Sequence, residues 1–132
     1  MAIVTPEIDV QIDLDVTSYI PDDYISDSSQ KIEIYQDIAL CNNEEDIQNI
    51  IDEMIDRFGN MPDEIENLLD IARIKILCKK SNISKVQGKK KFVVFVFEPG
   101  KINIDVNELV KKYRNKIKFT QGIKPQITFT LI

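Results

Sequence analysis

Asn43 to Pro62, NEEDIQNIIDEMIDRFGNMP, carries the clearest instruction in this chain of 132 residues. Asn43 offers a side-chain oxygen to cap a helix, and Glu44, Glu45 and Asp46 fill a first turn where the helix dipole favours anions. Ile47, Ile50, Ile51, Met54, Ile55 and Phe58 recur at helical spacing and define one apolar stripe. Gly59 closes the helix as the residue that accepts a left-handed backbone. Pro62, followed by Asp63 and Glu64, opens another helix that runs to about Lys80. Its apolar residues, from Ile65 to Leu77, cover more than one face, which predicts a central position. Few residues join the two helices, so they should pack as an antiparallel pair.

Outward from this pair the periodicity changes. Upstream, Glu7 to Val16 alternates Ile8, Val10, Ile12, Leu14 and Val16 with polar and acidic residues, the pattern of a half-buried strand. Residues 1–18 are accordingly a strand or an extended linker arm. Tyr19 to Ile25 carries Pro and Asp turn chemistry among large apolar anchors. Ser26 to Ser29 supplies cap candidates for a first helix over Ser29 to Cys41. Downstream, Lys85 to Gln87 and the continuous apolar run Phe92 to Phe97 flank a turn at Gly88-Lys89-Lys90-Lys91. Asp105 and Glu108 start a helix ending near Arg114. Ile117 to Thr120 and Gln126 to Ile132 read as strands. The expected fold is α+β: a helical N-terminal half of three helices and a small mixed α/β C-terminal half.

Charge is divided along the chain. Residues 1–72 hold nineteen acids and two bases, about −17, whereas residues 73–132 hold fifteen bases and three acids, about +12. Such a division suggests different partners for the two halves, or attraction between halves of one fold. Apolar residues at 43% are enough for a packed core. No apolar run approaches the ~20 residues of a membrane span, and the first residues lack signal-peptide character, so a cytoplasmic location is expected. Cys41 and Cys78 sit among apolar helical positions and read as small buried hydrophobes. With no histidine, two cysteines cannot fill a four-ligand zinc site.

Catalytic signatures are missing. Gly59, Gly88, Gly100 and Gly122 stand too far apart for a phosphate-binding loop. There is no histidine to act as a base and no serine in a nucleophile elbow. The expectation is a binding module with no catalytic residue, cofactor or metal.

Asp52, Glu53 and Asp56 share the face opposite the apolar stripe of the second helix. Their three- and four-residue spacings place like charges side by side. Asp56 also sits in the last turn, where the dipole disfavours an anion. Local rules broken without compensation point to a functional surface that a basic partner would complete. The alternative is that Arg57 and solvent neutralise it.

Four stretches taken in order resemble one family: Tyr19 to Asp27 (YIPDDYISD), Gln30 to Tyr35 (QKIEIY), Glu53 to Gly59 (EMIDRFG) with Pro62, and Glu66 to Arg73 (ENLLDIAR). They are similar to the C-terminal domain of bacterial transcription-repair coupling factors, the Mfd family. The likeness is good over Glu7 to Ser84 and weaker beyond. It departs at Gln36-Asp37, where the family tends to carry basic residues. The resemblance implies that residues 19–132 form a regulatory domain cut from an ATP-driven DNA translocase that displaces stalled RNA polymerase. It further implies an autoinhibitory role: docking on a UvrB-like module of the same parent and masking the recruitment of UvrA in nucleotide excision repair. The family's acidic contacts map onto Glu53 and Asp56, with Asp52 and Arg57 beside them.

Two other readings remain open at this stage. Lys79, Lys80, Lys85, Lys89, Lys90 and Lys91 are candidate nucleic-acid contacts, though no aromatics interleave with them. Alternatively, the domain only stabilises its parent or self-associates through the Glu7–Val16 strand.

Overall fold

Asp27 starts the first helix, α1 (Ser28–Ala39), by accepting backbone N–H bonds from Ser29 and Gln30. These facts come from a computed structural model that describes residues 10–99 and 105–131. Helix α2 (Glu44–Phe58) follows, with Asn43 Oδ1 accepting from the Asp46 N–H at 2.8 Å, and α3 (Asp63–Ser81) begins one residue after Pro62. Gly59 takes φ +87°, a left-handed conformation open to glycine, at the α2 C-terminus.

The chain divides into two compact units, Val16–Ile76 and the described residues up to Asp15 taken with those from Leu77 onward. The division falls inside α3. In the Val16–Ile76 unit, Ile20, Ile25, Ile34, Ile38, Ile47, Met54, Ile65, Leu69 and Ala72 are buried in one core. Arg73 Nε, far along α3, bonds both carboxylate oxygens of Glu44 at the start of α2, at 2.9 and 3.1 Å. With the short Gly59–Pro62 connection, this contact makes α2 and α3 an antiparallel pair. Glu44 and Asp70 both bind the Arg73 guanidinium and hold its pKa above the ordinary value, the Glu44 bond contributing most.

Two stripe assignments need correction. Ile55 is 45% exposed, while Ile47 and Met54 are buried. Each residue turns ~100° about the helix axis, which leaves Ile55 about 80° from Ile47, at the stripe's edge. Leu77 is 62% exposed although it belongs to the apolar set of α3. Cys78, on the part of α3 that belongs to the other unit, is buried.

The second unit is built on a five-stranded sheet ordered β1-β2-β3-β5-β4. Its strands are β1 (Gln11–Asp13), β2 (Ile83–Gly88), β3 (Phe92–Phe97), β4 (Ile117–Thr120) and β5 (Gln126–Thr130). Strands β2 and β3 form the expected hairpin, closed by the Lys89 N–H donating to the Phe92 carbonyl at 2.8 Å. The continuous apolar run becomes the central strand, which has a neighbour on each side. Register puts Ile12, Val86, Phe95, Ile127 and Phe119 in one cross-strand row, hence on one face. Asp105 caps α4 (Val106–Tyr113) through the Glu108 N–H, and Tyr113 meets the Phe129 ring edge-on at 5.0 Å.

The N-terminal strand is shorter than its alternation predicts. Among the described residues only Gln11 to Asp13 pair, in parallel with Lys85 to Gln87 of β2. Val10 is buried, but Val16 is 47% exposed and leaves the sheet. Residues 7–9 of the expected strand, and Ile132 at the end of the last one, lie outside the described residues. The α+β expectation holds, with the refinement that the sheet of the C-terminal half takes its edge strand from the N-terminus. No helix among the described residues is long and apolar enough to cross a membrane. Both cysteines are buried and unpaired, as their apolar neighbours suggest.

Candidate functional site

The last turns of α2 are fixed from below by Tyr24. Its hydroxyl lies 2.7 Å from the Gly59 carbonyl oxygen, an acceptor that the helix end leaves without an intrahelical partner, and 3.2 Å from that of Met54. The Tyr24 ring packs on Phe58 at 5.8 Å. The loop holding Tyr24 is itself braced. Pro21 accepts from the N–H groups of Tyr24 and Ile25, and the Tyr35 hydroxyl accepts from the Ile20 N–H. Lys31 and Asp22 close the brace with an exposed ion pair. Burial pushes the Tyr24 phenol pKa up, so it remains a donor through the neutral range.

Asp52, Glu53, Asp56 and Arg57 are all exposed on this braced segment. Asp52 accepts a bond from Gln48 Nε2 at 2.9 Å. Glu53 is not the unneutralised acid expected from the sequence: Arg57, one turn later, reaches its Oε1 at 3.2 Å and also lies over the Phe58 ring at 4.9 Å. An exposed pair at this spacing contributes only ~0.3–0.5 kcal/mol, so it is easily exchanged for a better partner. Asp56 makes no hydrogen bond or ion pair among the described residues. The local arrangement therefore presents one free carboxylate and one weakly held carboxylate on adjacent turns. That is a surface able to accept charge-assisted hydrogen bonds from arginine or lysine of a partner.

Glu53 and Arg57 also border a groove between α1 and α2. A tight cleft of about 20 Å³ is lined by Gln30, Glu33, Ile34, Asp37, Ile50, Glu53, Met54, Arg57 and Phe58. It shares Asp37 and Ile50 with a wider one of about 310 Å³, lined also by Leu40, Cys41, Asp46 and Asn49. Glu33, Asp46 and Leu40 were not candidates from sequence. Their signal is tertiary, since it needs α1 laid beside α2.

The six lysines do not gather into one ridge. Lys89, Lys90 and Lys91 are exposed at the β2–β3 turn, while Lys85 is half-buried within β2 between Gln11 and Val96. Lys79 and Lys80 precede the other end of β2 and are already engaged in interactions of their own. Six strand residues separate the two groups by roughly 17 Å. Among the described residues no cluster of ligating side chains could hold a metal ion.

Comparison with known proteins places these features in a family. A model of the TRCF domain matches residues 14–109. The chain belongs to the TRCF domain family. TRCF-domain relatives include the transcription-repair-coupling factor of Rickettsia prowazekii (strain Madrid E), 41% identical over 115 residues, 86% of this chain and 10% of the relative. The same-named protein of Escherichia coli (strain K12) is 38% identical over 87 residues, 66% of this chain and 8% of its own length. This TRCF domain thus spans about a tenth of the length of the curated relatives it matches. A crystal structure of the C-terminal domain of transcription-repair coupling factor superposes with a TM-score of 0.81 at 26% identity, covering 93% of this chain and 80% of that one. The TRCF match includes Tyr24, the α2 acids and the groove.

Proposed function

We propose that this domain is an autoinhibitory protein-interaction module of a transcription-repair coupling factor, and that the C-terminal part of α2 is its docking surface. The observation that carries this reading is the pair Glu53 and Asp56: exposed, braced by Tyr24 from behind, and left with one weak partner between them. The partner is the UvrB-like module of the same parent chain, whose basic side chains replace Arg57 at Glu53 and supply the missing charge at Asp56. Docking masks the surface that recruits UvrA, and release exposes it when the parent, an ATP-dependent DNA translocase, engages stalled RNA polymerase. The domain itself performs no chemistry, and it works in the cytoplasm alongside the chromosome.

The magnitudes suit a switch. Losing one member of a desolvated interdomain charge pair costs ~2–5 kcal/mol. Moving a two-state equilibrium from 99:1 to 1:99 takes ~5.5 kcal/mol. One substitution loosens the clamp and two open it. In the full-length parent, Glu53→Ala with Asp56→Ala should raise both UvrA binding and resting ATP turnover. Unchanged values, with the helix content of the variant intact by circular dichroism, would rule the docking surface out.

A further inference from the structure

The groove between α1 and α2 and the lysine-bearing hairpin tip have complementary chemistry; the groove shares Glu53 and Arg57 with the docking surface above, and the tip lies outside it. We propose that the α1–α2 groove receives the Lys89–Phe92 hairpin tip of a second copy of this chain, giving a salt-sensitive head-to-tail association.

The groove combines an apolar floor with an acidic rim. Leu40 is 74% exposed at its open end, and Ile50 lies where the two clefts join. Glu33, Asp37, Asp46 and Glu53 stand around it, and among the described residues Arg57 is the one base lining it, already turned to Glu53. The Val16–Ile76 unit carries fifteen acids against four bases, so the rim belongs to a unit of strongly negative net charge. Cys41 in the groove wall senses that potential: burial pushes its thiol pKa up, and Asp46 and Asp37 push it further.

The hairpin offers the converse. Lys89, Lys90 and Lys91 are three consecutive exposed cations, and Phe92 beside them is 38% exposed, an apolar anchor flanked by positive charge. The tip is also held in shape. The Lys89 N–H bonds the Phe92 carbonyl, and the Leu131 N–H bonds the Lys91 carbonyl, each at 2.8 Å. A rigid tip loses little conformational freedom on binding. The two surfaces differ, so the contact is heterologous and each bound copy leaves a groove and a tip for the next.

Sedimentation velocity of the whole chain tests this. At about 50 mM NaCl the weight-average sedimentation coefficient should rise with protein concentration, and at about 500 mM it should stay flat, because exposed charges are screened. Asp37→Lys alone, and Lys90→Glu with Lys91→Glu, should each sediment as monomers at low salt. An equimolar mixture of the two variants should regain association, since each retains one intact surface and the altered surfaces complement each other. Leu40→Gln changes no charge and should weaken association several-fold, which separates a local contact from general attraction between acidic and basic halves. These positions are exposed, and circular dichroism checks that each variant folds. A monomer at every concentration in low salt overturns the proposal, as does association that none of these substitutions reduces.

Discussion

Asp56→Ala should make this domain more stable, not less. The side chain is exposed, sits in the last turn of α2 and lacks a partner among the described residues. Three unfavourable effects act on it. The negative end of the helix dipole opposes an anion there by ~0.3–1 kcal/mol. Repulsion from Asp52 four residues earlier and Glu53 three residues earlier adds ~0.2–0.5 kcal/mol for each pair. Alanine also has a helix propensity better than aspartate by up to ~0.7 kcal/mol. Part of each effect is screened by solvent, so the net gain should be about 1 kcal/mol, a rise of roughly 3–6 °C in the midpoint of the helical transition for a chain of this size. Thermal denaturation followed by far-ultraviolet circular dichroism reads it directly. The gain should shrink as NaCl is raised, because screening weakens the repulsion in the parent sequence. A loss of stability greater than about 0.5 kcal/mol would mean that Asp56 has an internal partner, and would remove the reason for assigning it to docking. The sign is the informative part: a residue that costs its own fold stability is held there by something else.

Other substitutions test the frame that positions the site. Tyr24→Phe removes the donor to the Gly59 and Met54 carbonyls and should cost ~0.5–1.5 kcal/mol in a denaturant titration, with faster amide exchange confined to the end of α2. Gly59→Ala meets open space, yet φ +87° and ψ −162° is a region nearly restricted to glycine, so a loss of ~1–3 kcal/mol is expected from chemical denaturation. Burial raises the Cys78 thiol pKa from 9.0 to about 11. The unfolded thiol ionises first, so stability that is complete below about pH 9 should decline as pH rises toward 11. The decline should disappear in Cys78→Ala, and a pH profile shared by both proteins would contradict it.

The site was partly legible because its determinants are local. Asp52, Glu53 and Asp56 can be recognised from spacing and dipole alone, both of which operate over one or two turns. What spacing could not decide is which acid keeps its charge free. Arg57 lies four residues from Glu53 but one from Asp56, and only the chosen rotamer sends its guanidinium to Glu53 and over Phe58. The groove was illegible for a different reason. Asp37 and Asp46 lie on different helices, and their meeting depends on how α1 packs against α2.

The same distinction runs through the fold. Sequence determined α2 almost to the residue, because Asn43, the Ile47–Phe58 stripe and Gly59 encode its start, buried face and end within seventeen positions. It determined the β2–β3 hairpin and the cap at Asp105 for similar reasons. Tertiary structure alone decided where the N-terminal strand goes. Alternation from Val10 to Val16 says only that one face wants cover, and parallel pairing with β2 requires a crossover that here contains three helices. The loss of Val16 and the exposure of Ile55 belong with that decision, since a periodic pattern marks which side is apolar while the neighbours that arrive set how far the cover extends.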